Sequence, residues 1–434
     1  MATAAADVAH LLRRAGFGGT PTQIAQLAAL DLPALVDKVL DTSAAPPDTP
    51  PAFLTDTGLE NWQKLESLVN WWYDRMATTT APIVEKMTFF WHGHFVTAID
   101  KVDQPDYIYQ QNAFYRANAF SDFATLVHGM ALQPAMIYYL DNDPNTKGAP
   151  NQNFARELME LFTIGVGNYT QADVEASSRA WTGHSVNETT RKYQFNPGNH
   201  DTGMKTFFGK TANWDGPQII DEILTNTIKR PVVARYMAKK LWEFFAYQNP
   251  AAALLQALAD GFVASNLNIR SLVQAIFLRP EFYSAQAKQG RVLSPVEFMV
   301  NMMRRLGLTA DQMHPRWFQE GMGQALLNPP NVSGWRLNSY WLSTSAASAK
   351  AEMASNLNWI LNDLNQHPLA DTQTRTPADA VAHALDVFGI PDASAATKNV
   401  LTKWMQQQRA AKQGFAEAGN LLILTVLAPE MQLA

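Results

Sequence analysis

Residues 148–183 read GAPNQNFARELMELFTIGVGNYTQADVEASSRAWTG. Pro150 can open a helix, because proline lacks an N–H that the first turn leaves unused, and Gly165 can close it. The spacing predicts a helix over roughly 151–164. On its wheel Asn153, Arg156, Glu157 and Glu160 share one narrow stripe. Phe154, Leu158, Leu161 and Phe162 take one flank, and Ala155 and Met159 the rest. So apolar a helix presses its polar stripe against other protein, where a carboxylate needs a cation, a donor or a proton. Arg156 and Glu160, four apart, can pair. Glu157 then needs a partner from elsewhere: an ion-pair network, a metal, a catalytic role or, failing these, solvent. A second helix follows at once. Thr170 is placed to cap it with Asp173 in capping-box position, it runs to about Trp181, and Gly183 closes it just before His184.

The same period of 3.6 recurs along the chain. It predicts helices near 6–14, from Thr20–Pro21 onward, and over 60–78, 82–95, 104–118 and 120–139. Others follow over 217–227, 231–246, 251–262 with Gly261 as a stop, 269–278, from Ser294–Pro295 onward, and over 346–364, 377–388 and 394–412. The expected fold is predominantly α-helical, a multi-helix globular domain spanning 1–434. Residues 43–56 are loop-like. The period disappears over 185–216, an irregular insertion where Tyr193 and Phe195 alternate with polar residues as in a short hairpin near 185–210. Residues 317–343, with their glycines and double proline, form an ordered loop. There Trp335 and Trp341 either wall a pocket or anchor the loop.

Composition removes several function classes. Cysteine is absent, which rules out disulfides, thiolate catalysis and cysteine-ligated zinc or iron–sulfur centres. The 34 basic and 39 acidic residues nearly balance, so charge points to neither nucleic acid nor an anionic membrane. No apolar run is long enough to span a membrane. The opening MATAAADVAHLLRRAGFG lacks a signal peptide's apolar stretch. The chain as given is expected in the cytoplasm, or is exported after loss of a leader. The glycines of GFGG at 16–19 lack the strand and lysine of a phosphate loop. DNDPNTKG at 141–148 lacks the glycine and the terminal glutamate of an EF-hand. No G-x-S-x-G elbow occurs.

The run from Asn151 to Val174 resembles the large bacterial DUF1800 family, a domain of unknown function. HLLRRAGFG at 10–18, FFWHGHF at 89–95, HDTGMKTFFG at 200–209 and NPPNVSGW at 328–335 carry the likeness across most of the chain in family order. Relatives often have glutamate where Gln152 stands. Genes of the family are commonly accompanied by members of a second family, DUF1501, so the resemblance implies a DUF1501-like protein partner and a non-enzymatic binding or assembly role.

The residues themselves raise a second expectation, a metal-dependent hydrolase or oxidoreductase. His94, Glu157 and His200 would line a cleft between the 85–95 helix, the 153–160 stripe and the 184–201 loop, with His92 and Glu160 close by. Histidine and carboxylate ligands suit zinc, iron or manganese, and an open position would activate water. His200 and Asp201 could serve as an oriented base, and Arg156 could hold an anionic substrate group. Against shared ligation, His92 and His94 diverge by about 200° on a helix, although Gly93 permits a widened turn.

Overall fold

The computed structural model describes residues 2–390, 392–411 and 416–434. It is predominantly helical with a small β insertion, as the periodicity predicts. At its centre lies the helix Pro82–His94, whose residues are all buried except Pro82 and Gly93. A helix apolar all round belongs in a core. This one also carries Glu85, Lys86, Thr88, His92 and His94 into that core, so each needs a partner there. The helices Asn61–Thr78 and Pro105–Ala117 pack on it and on each other, and Pro295–Leu306 packs on Asn61–Thr78 and reaches the central helix through the Lys86–Glu297 ion pair.

Local rules set most helix ends. Capping boxes open the helices at Thr20, Thr170 and Ser294, and Gly307 closes Pro295–Leu306 in the left-handed region. Gly261 does not act as a stop. Its helix runs on from Ala252 to Ala264, because burial of Leu254, Leu255, Leu258 and Phe262 outweighs one unfavourable residue. The helix Ala395–Ala410 ends short of 412, which lies outside the described residues.

The insertion holds two hairpins rather than one. β1 (His184–Asn187) pairs antiparallel with β2 (Lys192–Phe195), His184 facing Phe195. β3 (Lys205–Phe207) pairs with β4 (Lys210–Ala212). The two-residue turn of the second hairpin, Phe208–Gly209, has positive φ at both positions, the geometry that matches strand twist. An aromatic residue there hides the usual sequence signal. The Asp173 carboxylate accepts the Phe208 N–H at 3.0 Å and holds the turn to the neighbouring helix.

Both ends of the chain meet near residue 290. Arg14 donates to the Ala287 carbonyl at 2.6 Å, and Asn301 to that of Phe17 at 2.7 Å. Leu293 N–H donates to Gln432 O at 2.9 Å, Ala434 N–H donates to Arg291 O at 2.8 Å, and Val292 bridges Leu433.

Candidate functional site

The helix predicted over 151–164 forms, but its pitch changes midway. Asn153–Glu157 is α-helical and Leu158–Thr163 is a wider π-turn. A widened turn does occur, then, but here and not at Gly93. Such turns leave carbonyls at the helix end to be satisfied from outside. Tyr236 Oη donates to Leu161 O at 2.7 Å, and His94 Nε2 bonds Phe162 O at 3.0 Å. Since a carbonyl only accepts, His94 must carry its proton on Nε2, which leaves Nδ1 as the ring's acceptor. Burial, helped by Lys240, lowers its pKa to about 3, so the ring is neutral at physiological pH.

The expected metal centre does not form. Among the described residues, no three His, Asp or Glu side chains come together in a way that could hold a metal ion. The helix turns its two histidines apart. His94 stacks on Phe90 and spends Nε2 on Phe162 O. His92 sits edge-on to Trp72 and Trp335, its Nε2 buried without a partner. His200 belongs to the insertion, its Nδ1 2.8 Å from Thr182 O and its ring packed against His184 and Phe195. Glu157 is half-buried, and its carboxylate makes no hydrogen bond or ion pair among the described residues. Burial and then Glu160 raise its pKa. The Glu160 carboxylate accepts the Tyr169 hydroxyl instead of pairing with Arg156. Arg156 bonds the side chains of Gln152 and Gln171. Asp201 pairs with Arg179 at 2.6 Å. The zinc, iron or manganese expectation, and the metal-dependent hydrolase or oxidoreductase built on it, are therefore set aside.

The buried charge lies elsewhere. Glu85, 1% exposed, accepts from Arg75 at 2.8 Å, Arg116 at 2.7 Å and Trp72 Nε1 at 3.0 Å. This knot is electrically satisfied and structural. Glu297, also 1% exposed, pairs with Lys86 and Arg291, and its capping-box backbone donor Ser294 N–H lies at 3.0 Å. Arg14 stands behind this group, fully buried, and the fields of Arg291 and Glu297 both reach it. Three cations thus share one carboxylate. Burial alone would raise the Glu297 carboxyl, but Arg291 and Lys86 outweigh it and hold it well below the usual range. Burial pulls Lys86 down to about 8 although Glu297 opposes this. Arg14 Nε and Nη1 and Arg291 Nε are buried with no hydrogen-bond partner.

Beside this surplus of positive charge opens a cavity of about 140 Å³. Phe89, Phe90, Gly93 and His94 from the central helix line it, with Lys240, Glu243 and Phe244 from the helix Lys229–Phe245. Arg291, Ser294, Glu297 and Gln324 close one side, and Ser333, Trp335 and Leu337 the other. Arg291 lies 5.5 Å above the Phe244 ring. Lys240 is half-buried, faces the Tyr236 ring at 5.4 Å and, among the described residues, makes no side-chain hydrogen bond or ion pair. Burial lowers its pKa, with Glu243 opposing. Gly334 lets the Trp335 loop settle on the central helix. Its φ is +79°, and a Cβ there would lie 2.6 Å from Gly93 O. A larger depression of about 240 Å³ between residues 12–41 and 80–83 carries no such free charge. Its Lys38 pairs with Asp41, and its Arg304 is bonded to three backbone carbonyls.

The cavity thus joins three of the sequence islands: FFWHGHF, the end of NPPNVSGW and, through Arg14 behind Glu297, HLLRRAGFG. Sequence reasoning put His94 in a different cleft, with Glu157 and His200, left Trp335 as either a pocket wall or a loop anchor, and missed Lys240, Arg291 and Glu297. The available signal was the capping box Ser294–Glu297, whose glutamate is followed by an apolar face on every side. Among the described residues, no helix is long and apolar enough to cross a membrane. The family model described as "Protein of unknown function (DUF1800)" matches residues 10–433. No curated protein and no solved structure matches the chain.

Proposed function

The chain belongs to the DUF1800 family, and from its pocket we propose that it binds a small organic anion with an apolar body about the size of one ring. The observation that carries this reading is the unpaired Lys240 beside the Arg14–Lys86–Arg291 surplus, on a cavity walled by Phe89, Phe90, Phe244 and Trp335. Lys240 has only the field of Glu243 to balance it, and Arg14, Lys86 and Arg291 outnumber Glu297, so a ligand carboxylate or phosphate would add counter-charge where buried cations are costly. A cavity of about 150 Å³ in another protein admits benzene, so 140 Å³ accommodates a single ring. Binding is preferred to a reaction because, among the described residues, no hydroxyl on the wall is hydrogen-bonded to a base. The Ser294 hydroxyl instead caps the Glu297 N–H.

The test is calorimetric titration of the full chain with benzoate and phenyl phosphate, with benzyl alcohol as the neutral control. Either anion should bind and raise Tm, the alcohol should not, and Lys240→Met should weaken the anion about tenfold or more, which corresponds to about 1.4 kcal/mol. Failure of both anions to bind, or equal binding by Lys240→Met, would overturn the reading.

A further inference from the structure

A second lysine is placed for different chemistry. Lys350 lies on the helix Thr344–Asp363 and is 3% exposed. It lines a cavity of about 340 Å³ whose other walls include Trp341, Leu342, Ala347 and Leu427. Leu342 and Ala347 are exposed, so this cavity has a mouth to solvent, and Trp341 forms its buried floor. An ammonium carries three donors, yet Nζ makes one hydrogen bond, at 2.8 Å to Gln432 Oε1. That amide is held in its orientation because its Nε2 donates to Val426 O at 3.0 Å. The other neighbour of Nζ is the Phe298 ring at 5.1 Å. No carboxylate pairs with Lys350 among the described residues.

We propose that Lys350 is a nucleophilic amine that captures a small apolar aldehyde in this cavity as a reversible Schiff base. A lysine desolvated among apolar groups is the usual setting for such an amine, and burial lowers this one to about 8. The lone pair of neutral Nζ attacks the carbonyl carbon, and the carbonyl π pair moves to oxygen. The two hydrogens of Nζ leave with that oxygen as water, and a C=N bond takes its place. Hydrolysis reverses each step. No electron is gained or lost, and water is the sole by-product.

The full chain is incubated with benzaldehyde and sodium cyanoborohydride at pH 7.5, and early time points are mapped by peptide mass spectrometry. The reagent turns the imine into a stable benzylamine. Because an ordinary exposed lysine near 10.4 is almost wholly protonated at that pH, Lys350 should label about tenfold or more faster than exposed Lys192 and Lys403. Lys350→Arg should lose the fast adduct with an unchanged far-UV spectrum. The wild-type comparison requires no variant to fold. Labelling of Lys350 at or below the rate of Lys192 and Lys403 would overturn the proposal.

Discussion

The backbone of Gly334 rests on the carbonyl of Gly93, so closely that a Cβ on Gly334 would lie 2.6 Å from that oxygen. Two sequence islands some 240 residues apart meet at this point, and the Trp335 side of the anion pocket hangs from it. Gly334→Ala meets both the contact and a φ of +79°, so it should destabilise by more than about 1 kcal/mol. Gly148→Ala, with open space around it, should leave the urea midpoint almost unchanged. Equal midpoints for the two variants would refute the role given to Gly334.

Glu297→Ala removes the one anion among Lys86, Arg291 and Arg14. Leaving buried cations uncompensated should cost roughly 3–5 kcal/mol in chemical denaturation. The carboxyl's folded pKa lies below its unfolded value of 4.5. Its contribution is therefore complete above pH 4.5 and lost as pH falls toward the folded value. The stability gap between wild type and Glu297→Gln should narrow in that acid range.

Four buried histidines give the protein a second acid sensitivity. Burial first, then nearby arginines for His10, Lys240 for His94 and His200 for His184, lowers His10 to about 2, His92 and His94 to about 3, and His184 to about 4. At pH 5 the folded rings are neutral while the unfolded ones, near 6.5, are mostly protonated. Unfolding then takes up protons, so stability falls as pH drops below 6.5, by about 1.4 kcal/mol per pH unit for each ring. Calorimetry in buffers of different ionisation enthalpy should find several protons absorbed on unfolding at pH 5, His367, also lowered by burial, adding to these four. An uptake near zero would show that these rings titrate normally.

Glu157 should behave in the opposite way to Glu297. Its pKa is raised by burial and by Glu160, so its ionised form opposes folding at neutral pH. Glu157→Gln should leave stability unchanged or raise it by a few tenths of a kcal/mol, in the range of a like-charge pair on a helix. A loss of more than about 2 kcal/mol would mean that a buried cation had been left behind.

The contrast between these two glutamates shows where the sequence was legible. Periodicity and caps placed most of the longer helices, including the Thr170–Asp173 box, because those signals act within one turn, but they missed Leu32–Val39 and Glu417–Val426. The stripe on the 153–160 helix looked as though it needed a cation. In the fold the segment ends in a π-turn whose carbonyls receive Tyr236 and His94, while Glu160 takes the neutral Tyr169 hydroxyl and not a cation. The buried carboxylates Glu85 and Glu297 each draw one cation from a helix far off in sequence, Arg116 and Lys86, and no local pattern announces such a pairing. His92 and His94 were correctly read as divergent on a helix. That divergence alone already argued against a shared metal, and the structure adds that each ring is committed to different neighbours.

The short bridge between 291–293 and 432–434 places the anion pocket under the control of the order of synthesis. Residues 14 and 86 leave the ribosome early, and residue 291 follows much later, yet the backbone that carries Arg291 is not pinned until Gln432 and Ala434 have emerged. Contacts of such long separation form late. A nascent chain therefore holds its clustered cations without this clamp until residues 432–434 have been made, and its need for a chaperone lasts at least that long. Loss of the contacts made by Gln432 and Ala434 would return the folded protein to that unlatched state.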